Sequence, residues 1–324
     1  MEAELRIAVI GCGGVARGHL RAIKNLPAKL VATVDIDENR ARTYAEEHGV
    51  NRYHTKIDDA LTNDVDAVII CLPHYLHVEA AVTAAESRKH ILTEKPMAIS
   101  LKGADDMIAA AQRNNVCLMV GQVLRFRGAN IKAKQLIKQG KIGEPLNMIR
   151  RRFGNSREFR SEWARHPAKA GGWVLYGYGS HEVDTMLWLF DTHATKVYAQ
   201  ARMNNPYWND YDELSIQMEL ANGMMGTLTH SLNSASGAWD TYIMGSEASM
   251  YLTNEQIVLN GDKMNIPMGP ATELQLKAFI EAIRDGREPE AAGTSVRKTM
   301  QALEAAKISI AKGQIVNTTD DDFR

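Results

Sequence analysis

The most constraining feature of the sequence is an apolar run, LRIAVI, that leads directly into the glycine-rich segment GCGGVA. Gly11 and Gly13 stand in the G-x-G-x-x-G/A spacing, and Ala16 takes its last position. The first glycine permits a tight turn, the second lets the backbone approach a pyrophosphate, and a small third residue lets the following helix pack on the strand. Phosphates then lie at the helix N-terminus, where backbone N–H groups favour anions. The predicted phosphate loop comprises Gly11, Gly13, Gly14, Val15 and Ala16.

Short apolar runs recur through the first third of the chain, and helical patterns separate them. The runs are residues 5–11, 29–35, 65–73, 89–96 and 115–121. Between them, residues 38–48 and the stretch from Ser100 to about Asn114 are typical of helices. Strands covered on both faces read as continuous apolar runs. The alternation predicts an α/β domain over residues 1–121, with the doubly wound parallel sheet of a Rossmann fold.

Asp35 ends the second apolar run, 24 residues after Gly11. An acidic residue at this place binds the hydroxyls of an adenosine ribose. Its carboxylate repels a 2′-phosphate, and no arginine follows it directly, since the next residues are Ile36 and Asp37. The sequence therefore favours NAD over NADP as the cofactor.

The second half of the chain has the period of half-buried strands. In ELSIQMEL, Leu214, Ile216, Met218 and Leu220 alternate with polar residues, and Asn222-Gly223 and Asn260-Gly261 are typical of hairpin turns. These patterns predict an α+β domain over residues 122–324, built on a mostly antiparallel open sheet. Two helices, about residues 272–285 and 294–312, close the chain, and the C-terminal helix is free to pack back on the first domain. We expect a second copy of the chain to cover the open sheet face, in a homodimer or homotetramer.

Composition narrows the class of partner. The 38 basic and 39 acidic residues nearly balance, and the longest basic run is only Arg150–Arg152, which argues against a nucleic-acid surface. No apolar run approaches the roughly 18 residues of a membrane span. The three cysteines are scattered, and His74 and His77 lack the further ligands of a metal site. We expect a soluble cytoplasmic protein that binds no metal and acts on a small molecule.

Several segments together resemble the glucose-fructose oxidoreductase and inositol dehydrogenase family, Gfo/Idh/MocA. They are GCGGVARGH, CLPHYLH, Glu94-Lys95-Pro96, GQVLRF (121–126), GKIGEP (140–145), GSHEVD (179–184) and AIRDGREP (282–289). The resemblance implies NAD(P)-dependent hydride transfer on a sugar, cyclitol or related hydroxyl compound. It also implies a cis bond before Pro96. Besides the phosphate loop and Asp35, the expected cofactor contacts are Ile36, Leu72, Pro73, His74, His77, Glu94, Lys95 and Gln122.

Lys95 is the first candidate catalytic residue. It stands at the carboxyl end of a predicted parallel strand, where open α/β sheets bind their ligands. As a substrate hydroxyl loses a hydride from its carbon, the oxygen becomes alkoxide-like, and a fixed ammonium stabilises it in the transition state. Lys95 is therefore expected to contact both the cofactor and the substrate.

His181 is the second candidate, because a neutral imidazole can take and return the hydroxyl proton near neutral pH. The family pattern D-x-G-x-H puts a carboxylate four residues earlier, on the same helix face. Here that position is Gly177. The role of the acid is lost, unnecessary, or taken by Tyr176, Tyr178 or Asp184, the last being expected to hold a contact network. The glycine also makes room for a bulkier substrate, such as a glycoside.

Two further segments bear on substrate binding. If Arg150, Arg151 and Arg152 lie on a strand, they alternate between its faces, and a solvated face is the usual outcome for such a triplet. Trp163 is able to stack on a sugar ring or to lie in the core. The predicted substrate contacts are Lys95, Arg152, Trp163, Tyr176, Tyr178 and His181.

The sequence thus predicts an NAD-dependent dehydrogenase acting on a secondary hydroxyl of a sugar, sugar derivative or cyclitol. Lys95 stabilises the developing alkoxide, and His181 acts as general acid or base. Two alternatives stay open. One is redox-neutral, NAD-dependent glycosidase chemistry, and the other is a non-catalytic sensor that binds the cofactor.

Overall fold

The computed structural model describes residues 4–156 and 161–319, which divide into two compact units. The first unit contains the described residues up to Ala98, with Lys102–Val123 and Pro270–Val296. The second contains Ile99–Leu101, Leu124–Gly269 and the described residues from Arg297 onward. The predicted boundary lay between residues 121 and 122, and the chain leaves the first unit after Val123. The outer ends of the predicted domains, 1–3 and 320–324, lie outside the described residues.

The first unit contains a six-stranded sheet in which all pairings are parallel. Its strands are β1 (Leu5–Ile10), β2 (Ala28–Val34), β3 (Tyr53–His54), β4 (Ala67–Ile70), β5 (His90–Thr93) and β6 (Leu118–Val120). They lie in the order β3-β2-β1-β4-β5-β6. The order reverses between β1 and β4, and ligands of such sheets bind at the carboxyl ends of the strands beside this switch point. The predicted doubly wound sheet is confirmed, with the two-residue β3 as an unpredicted addition.

Nine α-helices lie within the described residues. They are α1 (Ala16–Ile23), α2 (Glu38–Glu47), α3 (His77–Glu86), α4 (Leu101–Arg113), α5 (Gly128–Lys138), α6 (Pro167–Ala170), α7 (Gly179–Leu189), α8 (Ala271–Asp285) and α9 (Gly293–Lys312). Of these, α2, α4, α8 and α9 agree closely with the four helix ranges that the sequence predicts. The side chain of Asp37 caps α2 by accepting the N–H of Arg40 at 3.2 Å. Late in the chain, α8 returns to the first unit and packs against α1, where Gly18 faces the side chain of Thr272.

The second unit is built on a nine-stranded sheet. Its strands are β7 (Pro145–Asn155), β8 (Ala194–Arg202), β9 (Glu213–Leu220), β10 (Met225–Ser231), β11 (Asn233–Gly245), β12 (Ser249–Leu252), β13 (Gln256–Leu259), β14 (Asp262–Asn265) and β15 (Val316–Asn317). They lie in the order β14-β13-β12-β11-β7-β10-β9-β8-β15. Only the β10–β7 pairing among these is parallel. The predicted mostly antiparallel sheet is confirmed.

The strand alternation fixes which face of this sheet is covered. The four apolar residues of β9 are buried, and the polar residues between them are exposed, as the pattern predicts. On the covered face, the sulfur of Met186 in α7 lies against Gly226, where a Cβ would come within 2.4 Å of it. The opposite face carries the paired Ile149 and Tyr242, both of which are exposed.

The segment before His181 differs from the predicted continuous α-helix. Residues Trp173–Tyr178 form a π-helical turn, in which the N–H of Gly177 donates to the Gly172 carbonyl at 3.2 Å, and α7 begins only at Gly179. Turns of this width occur frequently at functional sites. Gly177 therefore lies in a wider turn than the family spacing suggests.

No helix within the described residues combines the length and the hydropathy that a membrane crossing requires.

Candidate functional site

The glycine-rich loop after β1 shows why its positions are glycine. Gly11 has a φ of +94°, and a Cβ there would lie 2.6 Å from the carbonyl oxygen of Cys71 on the neighbouring chain segment. Its N–H donates to the Val34 carbonyl at 2.7 Å. Beside Gly13 and Gly14, in contrast, a Cβ would meet nothing within 4 Å. The loop thus leaves open space next to the N-terminus of α1, as the close approach of a pyrophosphate requires.

Asp35 organises this loop from the end of β2. Its Oδ2 accepts the N–H of Cys12 at 2.9 Å, and its Oδ1 accepts the N–H of Asp37 at 3.0 Å. The guanidinium of Arg40, which α2 brings back toward the loop, lies 3.6 Å from Asp35 Oδ2. Sequence reasoning missed this cation because it considered only the residues that directly follow Asp35. Ile36, the predicted apolar contact, is 93% exposed.

Lys95 lies in a loop after β5 that is anchored at its carboxylate neighbour. The Lys95–Pro96 bond is cis, as the resemblance implied. Glu94 Oε2 accepts the N–H of Lys95 at 3.2 Å, and Oε1 lies 2.8 Å from His19 Nε2 on α1. Burial favours a raised pKa for Glu94, but the hydrogen bond and charge of His19 and the charge of Lys95 outweigh it, so the pKa is lowered and Glu94 is ionised. Gly121 is small because a Cβ there would come within 3.1 Å of this carboxylate.

His77 anchors the same loop from the other side. Its Nδ1 lies 2.8 Å from the Pro96 carbonyl oxygen, and its Nε2 lies 2.8 Å from the Leu72 carbonyl oxygen. Burial lowers the pKa of His77, so the neutral ring donates to one of the two oxygens. Predicted as a cofactor contact, His77 is instead completely buried and ties the loop after β4 to the loop after β5.

The other predicted cofactor residues lie along the same carboxyl edge of the first sheet. Leu72 and Pro73 follow β4, and the buried Gln122 follows β6. His74 is buried, with its ring 5.8 Å from that of His77. No group of three or more His, Cys, Asp or Glu that could hold a metal ion occurs within residues 4–156 and 161–319.

The arginine triplet on β7 divides between the two faces of the second sheet. Arg150 and Arg152 point toward α7 and share Glu182: Arg150 Nε donates to Oε2, and Arg152 Nη1 donates to Oε1 at 3.0 Å. On the other face, Arg151 makes a two-pronged pair with Asp240 at 2.7 and 2.8 Å. The prediction that the arginine triplet lies on a solvated face is wrong for Arg150, which is 4% exposed. The reason is that the buried carboxylate of Glu182 requires a counter-charge.

Arg152 is the centre of an aromatic cluster at the edge of this sheet. Its guanidinium carbon lies 4.0 Å from the ring centre of Tyr178 and 4.3 Å from that of Trp239. Strand register places His230 of β10 and Trp239 of β11 on either side of Arg152. Together with neighbouring backbone, these four residues line a cavity of about 410 Å³.

The aromatic cluster continues through Trp173 to Trp163. The ring of Trp173 lies 5.6 Å from that of Tyr178 and 6.0 Å from that of Trp163. Trp163 therefore belongs to a row of rings that ends at the cavity. His181, the predicted acid or base, is half-buried in the first turn of α7, three residues after Tyr178.

Tyr176 and Asp184, the other residues considered for the role of the missing acid, are both engaged in the interior. The Tyr176 side chain is fully buried, and its hydroxyl donates to Glu304 at 2.8 Å. Tyr176 therefore offers no surface to a substrate. Asp184 has the network expected of it: Arg125 donates to it at 2.7 and 2.8 Å, and Thr299 donates at 3.0 Å.

Two family profiles match most of the chain. The GFO/IDH/MocA profile, described as an oxidoreductase family with an NAD-binding Rossmann fold, matches residues 5–122. The GFO/IDH/MocA C-terminal domain matches residues 130–251. This chain belongs to the Gfo/Idh/MocA family. It is an oxidoreductase with an NAD-binding Rossmann domain.

Several other proteins resemble the chain over most of its length. A 4-carboxy-2-hydroxymuconate-6-semialdehyde dehydrogenase from Sphingobium sp. is 27% identical over 325 residues, covering 95% of this chain and 99% of that protein. A scyllo-inositol 2-dehydrogenase (NAD(+)) from Bacillus subtilis is 28% identical over 312 residues, 89% of each chain. The solved structure of a levoglucosan dehydrogenase in complex with NADH shares the fold, with a TM-score of 0.90 at 21% identity, over 98% of this chain and all of that one.

Proposed function

We propose that this oxidoreductase uses NAD to oxidise a secondary hydroxyl of a sugar, sugar derivative or cyclitol to a ketone, or uses NADH to reduce that ketone to the hydroxyl. The anchored loop that presents Lys95 is the observation that carries the proposal. The names of two similar proteins, scyllo-inositol 2-dehydrogenase and levoglucosan dehydrogenase, support this substrate class. When bound, the dinucleotide supplies the redox partner of the reacting carbon.

Lys95 donates a hydrogen bond to the reacting hydroxyl and stabilises its oxygen as negative charge develops. Glu94 and Pro96 on either side of it are held by His19 and His77, so the backbone that carries the ammonium is fixed before the substrate arrives. A preorganised cation of this kind costs little reorganisation during the reaction, which is why it lowers the barrier.

His181 takes the proton of the hydroxyl in oxidation and returns it in reduction. Its half-buried place in the first turn of α7 is consistent with a base that is partly screened from water. Gly177 supplies no carboxylate to assist it, so the imidazole carries the proton transfer without the acid found in the family pattern.

NADH formation across a panel of inositols, aldoses, aldonates and glycosides tests the dehydrogenase, with NAD and NADP assayed in parallel. We expect NADH to accumulate with one class of hydroxyl compound and more slowly with NADP, because Asp35 repels a 2′-phosphate. An enzyme that binds NAD but forms no NADH with any member of the panel would contradict this function.

Asp35 is expected to set the affinity for NAD. Its replacement with alanine removes a charged acceptor of the ribose hydroxyls and the tether of the Cys12 N–H, so the Kd for NADH should rise about 10- to 100-fold. The Kd for NADPH should rise less or fall, since Arg40 then faces the 2′-phosphate without a competing carboxylate. Fluorescence titration with both nucleotides measures the two constants.

Asp37→Ala is the matched control, because it removes a carboxylate two residues away that caps α2. It should cost roughly 1 kcal/mol of stability and change neither Kd by more than about twofold. If Asp35→Ala raises the Kd for NADH and the Kd for NADPH by the same factor, Asp35 holds the glycine-rich loop in place but does not distinguish the two nucleotides.

Gly177 favours one second candidate, the redox-neutral cleavage of a glycoside. The family pattern has a carboxylate at this position, whereas this chain has a buried glycine, so the groups available for proton transfer differ from that pattern. In that reaction, transient oxidation is followed by elimination, addition of water and re-reduction, so glycosides are consumed while no NADH accumulates. Chromatography of the glycosides in the same panel separates this outcome from a protein that binds NAD and catalyses nothing.

A further inference from the structure

We propose that the substrate carries a carboxylate, and that Arg152 binds it in the cavity formed with Tyr178, His230 and Trp239. This makes the substrate a polyhydroxy acid of the aldonate or uronate class. The inference rests on the proposed function, because it names the class of molecule on which that dehydrogenase acts.

The charges around the cavity do not balance. Glu182 faces two guanidinium groups, Arg150 and Arg152, and a third, Arg127, lies 4.6 Å above the ring of Trp239. Burial lowers the pKa of Arg127, and the positive charges of Arg152 and Arg150 lower it further. The side chain that Arg127 contacts is the neutral amide of Asn254. Among the described residues around the cavity, three guanidinium groups thus lie near the one carboxylate of Glu182, and an anionic ligand relieves the excess positive charge.

Arg152 is not needed to neutralise Glu182. The carboxylate already accepts a hydrogen bond from Arg150, whose second contact is the hydroxyl of Thr241 at 2.6 Å. Arg150 is therefore enclosed by protein groups, whereas Arg152 lines the cavity. A guanidinium has five N–H donors, and it binds carboxylates through two parallel hydrogen bonds.

Two polar atoms beside Arg152 are buried without a hydrogen-bond partner among the described residues. They are His230 Nδ1 and Trp239 Nε1. Burial and the charge of Arg152 lower the pKa of His230 to about 3, so the ring is neutral and adds no positive charge. Since buried polar groups in folded proteins are normally paired, the indole N–H calls for an acceptor, which an oxygen of the ligand supplies.

The shape of the site favours a carboxylate over a phosphate. The guanidinium of Arg152 lies over the rings of both Tyr178 and Trp239, and its N–H donors lie in its own plane. A carboxylate is planar and has two oxygens, so it matches the planar set of N–H donors that the guanidinium of Arg152 offers. Binding a phosphate usually draws on several backbone N–H groups or a helix N-terminus as well.

Calorimetry with matched acid and neutral ligands tests the proposal. The NADH-bound enzyme is titrated with D-glucuronate against D-glucose, D-galacturonate against D-galactose, and D-gluconate against D-sorbitol. For at least one pair, the acid should bind about tenfold or more tightly than its neutral counterpart, as expected for a charge-assisted pair. Arg152→Gln should abolish that preference and leave the Kd for NADH unchanged.

Arg151→Gln is the matched control, because it removes a neighbouring guanidinium on the opposite sheet face and should keep the preference. Trp239→Phe is a second test of the site, which still applies if Arg152→Gln fails to fold. It removes the indole N–H, which has no described partner, and keeps an aromatic ring beside Arg152, so the fold should persist while the acid binds about three- to tenfold more weakly. Equal binding of acid and neutral ligands in every pair, or an unchanged preference in Arg152→Gln, would overturn the proposal.

Two further outcomes separate this inference from the proposed function. If neutral polyols yield NADH and no acid is preferred, the dehydrogenase stands and the carboxylate site is wrong. If acids bind through Arg152 but none yields NADH, the anion site stands and the dehydrogenase is wrong. If glucose 6-phosphate binds more tightly than any of the three sugar acids, the cavity is a phosphate site and the proposal of a carboxylate site is overturned.

Discussion

Replacing Lys95 with alanine is expected to lower kcat/KM for the oxidised hydroxyl compound about 10³-fold, while the Kd for NADH stays within about threefold of the wild-type value. The variant loses the cation that stabilises the oxygen in the transition state. The loop itself should persist, because Glu94 and Pro96 are held through His19, His77 and the backbone N–H of residue 95, which alanine retains. Steady-state kinetics and NADH fluorescence titration measure the two quantities.

Lys102→Ala controls for the loss of a lysine as such. Lys102 lies exposed on α4 and pairs with Asp106 one helical turn away, so its removal should leave kcat/KM unchanged. A Lys95→Ala enzyme that retains more than about a tenth of its activity would exclude Lys95 as the main stabiliser of the developing alkoxide. A proportional loss of NADH affinity would instead assign Lys95 to cofactor binding.

The fold was predictable because its signals are local. Every strand of the first sheet except β3 lies in an apolar run, and the six-residue segment GCGGVA is enough to identify the glycine-rich loop. In the second unit, the period of β9 and the Asn-Gly turns were enough to predict an antiparallel sheet. The parallel β10–β7 pairing was not predictable, because strand order depends on contacts between segments that are far apart in sequence.

Residues of the candidate site were predictable only where a single short segment of the sequence positions them. Gly11, Asp35 and Lys95 are fixed by motifs and by the backbone beside them. The partners of Arg152, in contrast, come from other strands, since His230 and Trp239 reach it only through the register of β10 and β11. No local pattern signals that register.

Some errors had a readable cause. Tyr176 was chosen because it stands near the histidine motif, but α9 contributes Glu304 to accept its hydroxyl and buries the ring. A signal for Glu182 and Asp184 was present, since both acids interrupt the apolar run of α7. Buried carboxylates require partners, and the arginines of GQVLRF and of the β7 triplet supply them as Arg125 and Arg150.

Removing the carboxylate of Asp184 is expected to lower the free energy of unfolding of the second unit by about 3–5 kcal/mol. Asp184→Ala removes both carboxylate contacts of the Arg125 guanidinium, which is 3% exposed, and it removes the acceptor of Thr299. Urea denaturation followed by tryptophan fluorescence measures the effect. All five tryptophans of the chain lie in the second unit, so the signal reports that unit alone.

Two further variants show whether the loss in the free energy of unfolding comes from the charge that remains on Arg125. The double replacement Arg125→Met with Asp184→Leu removes both charges and fills the space with apolar groups, so it should recover most of the lost stability. Asp106→Ala breaks the exposed pair with Lys102 and should cost no more than about 0.5 kcal/mol. If the double variant is as unstable as Asp184→Ala, the lost stability comes from the missing hydrogen bonds of the network and not from the charge that remains on Arg125.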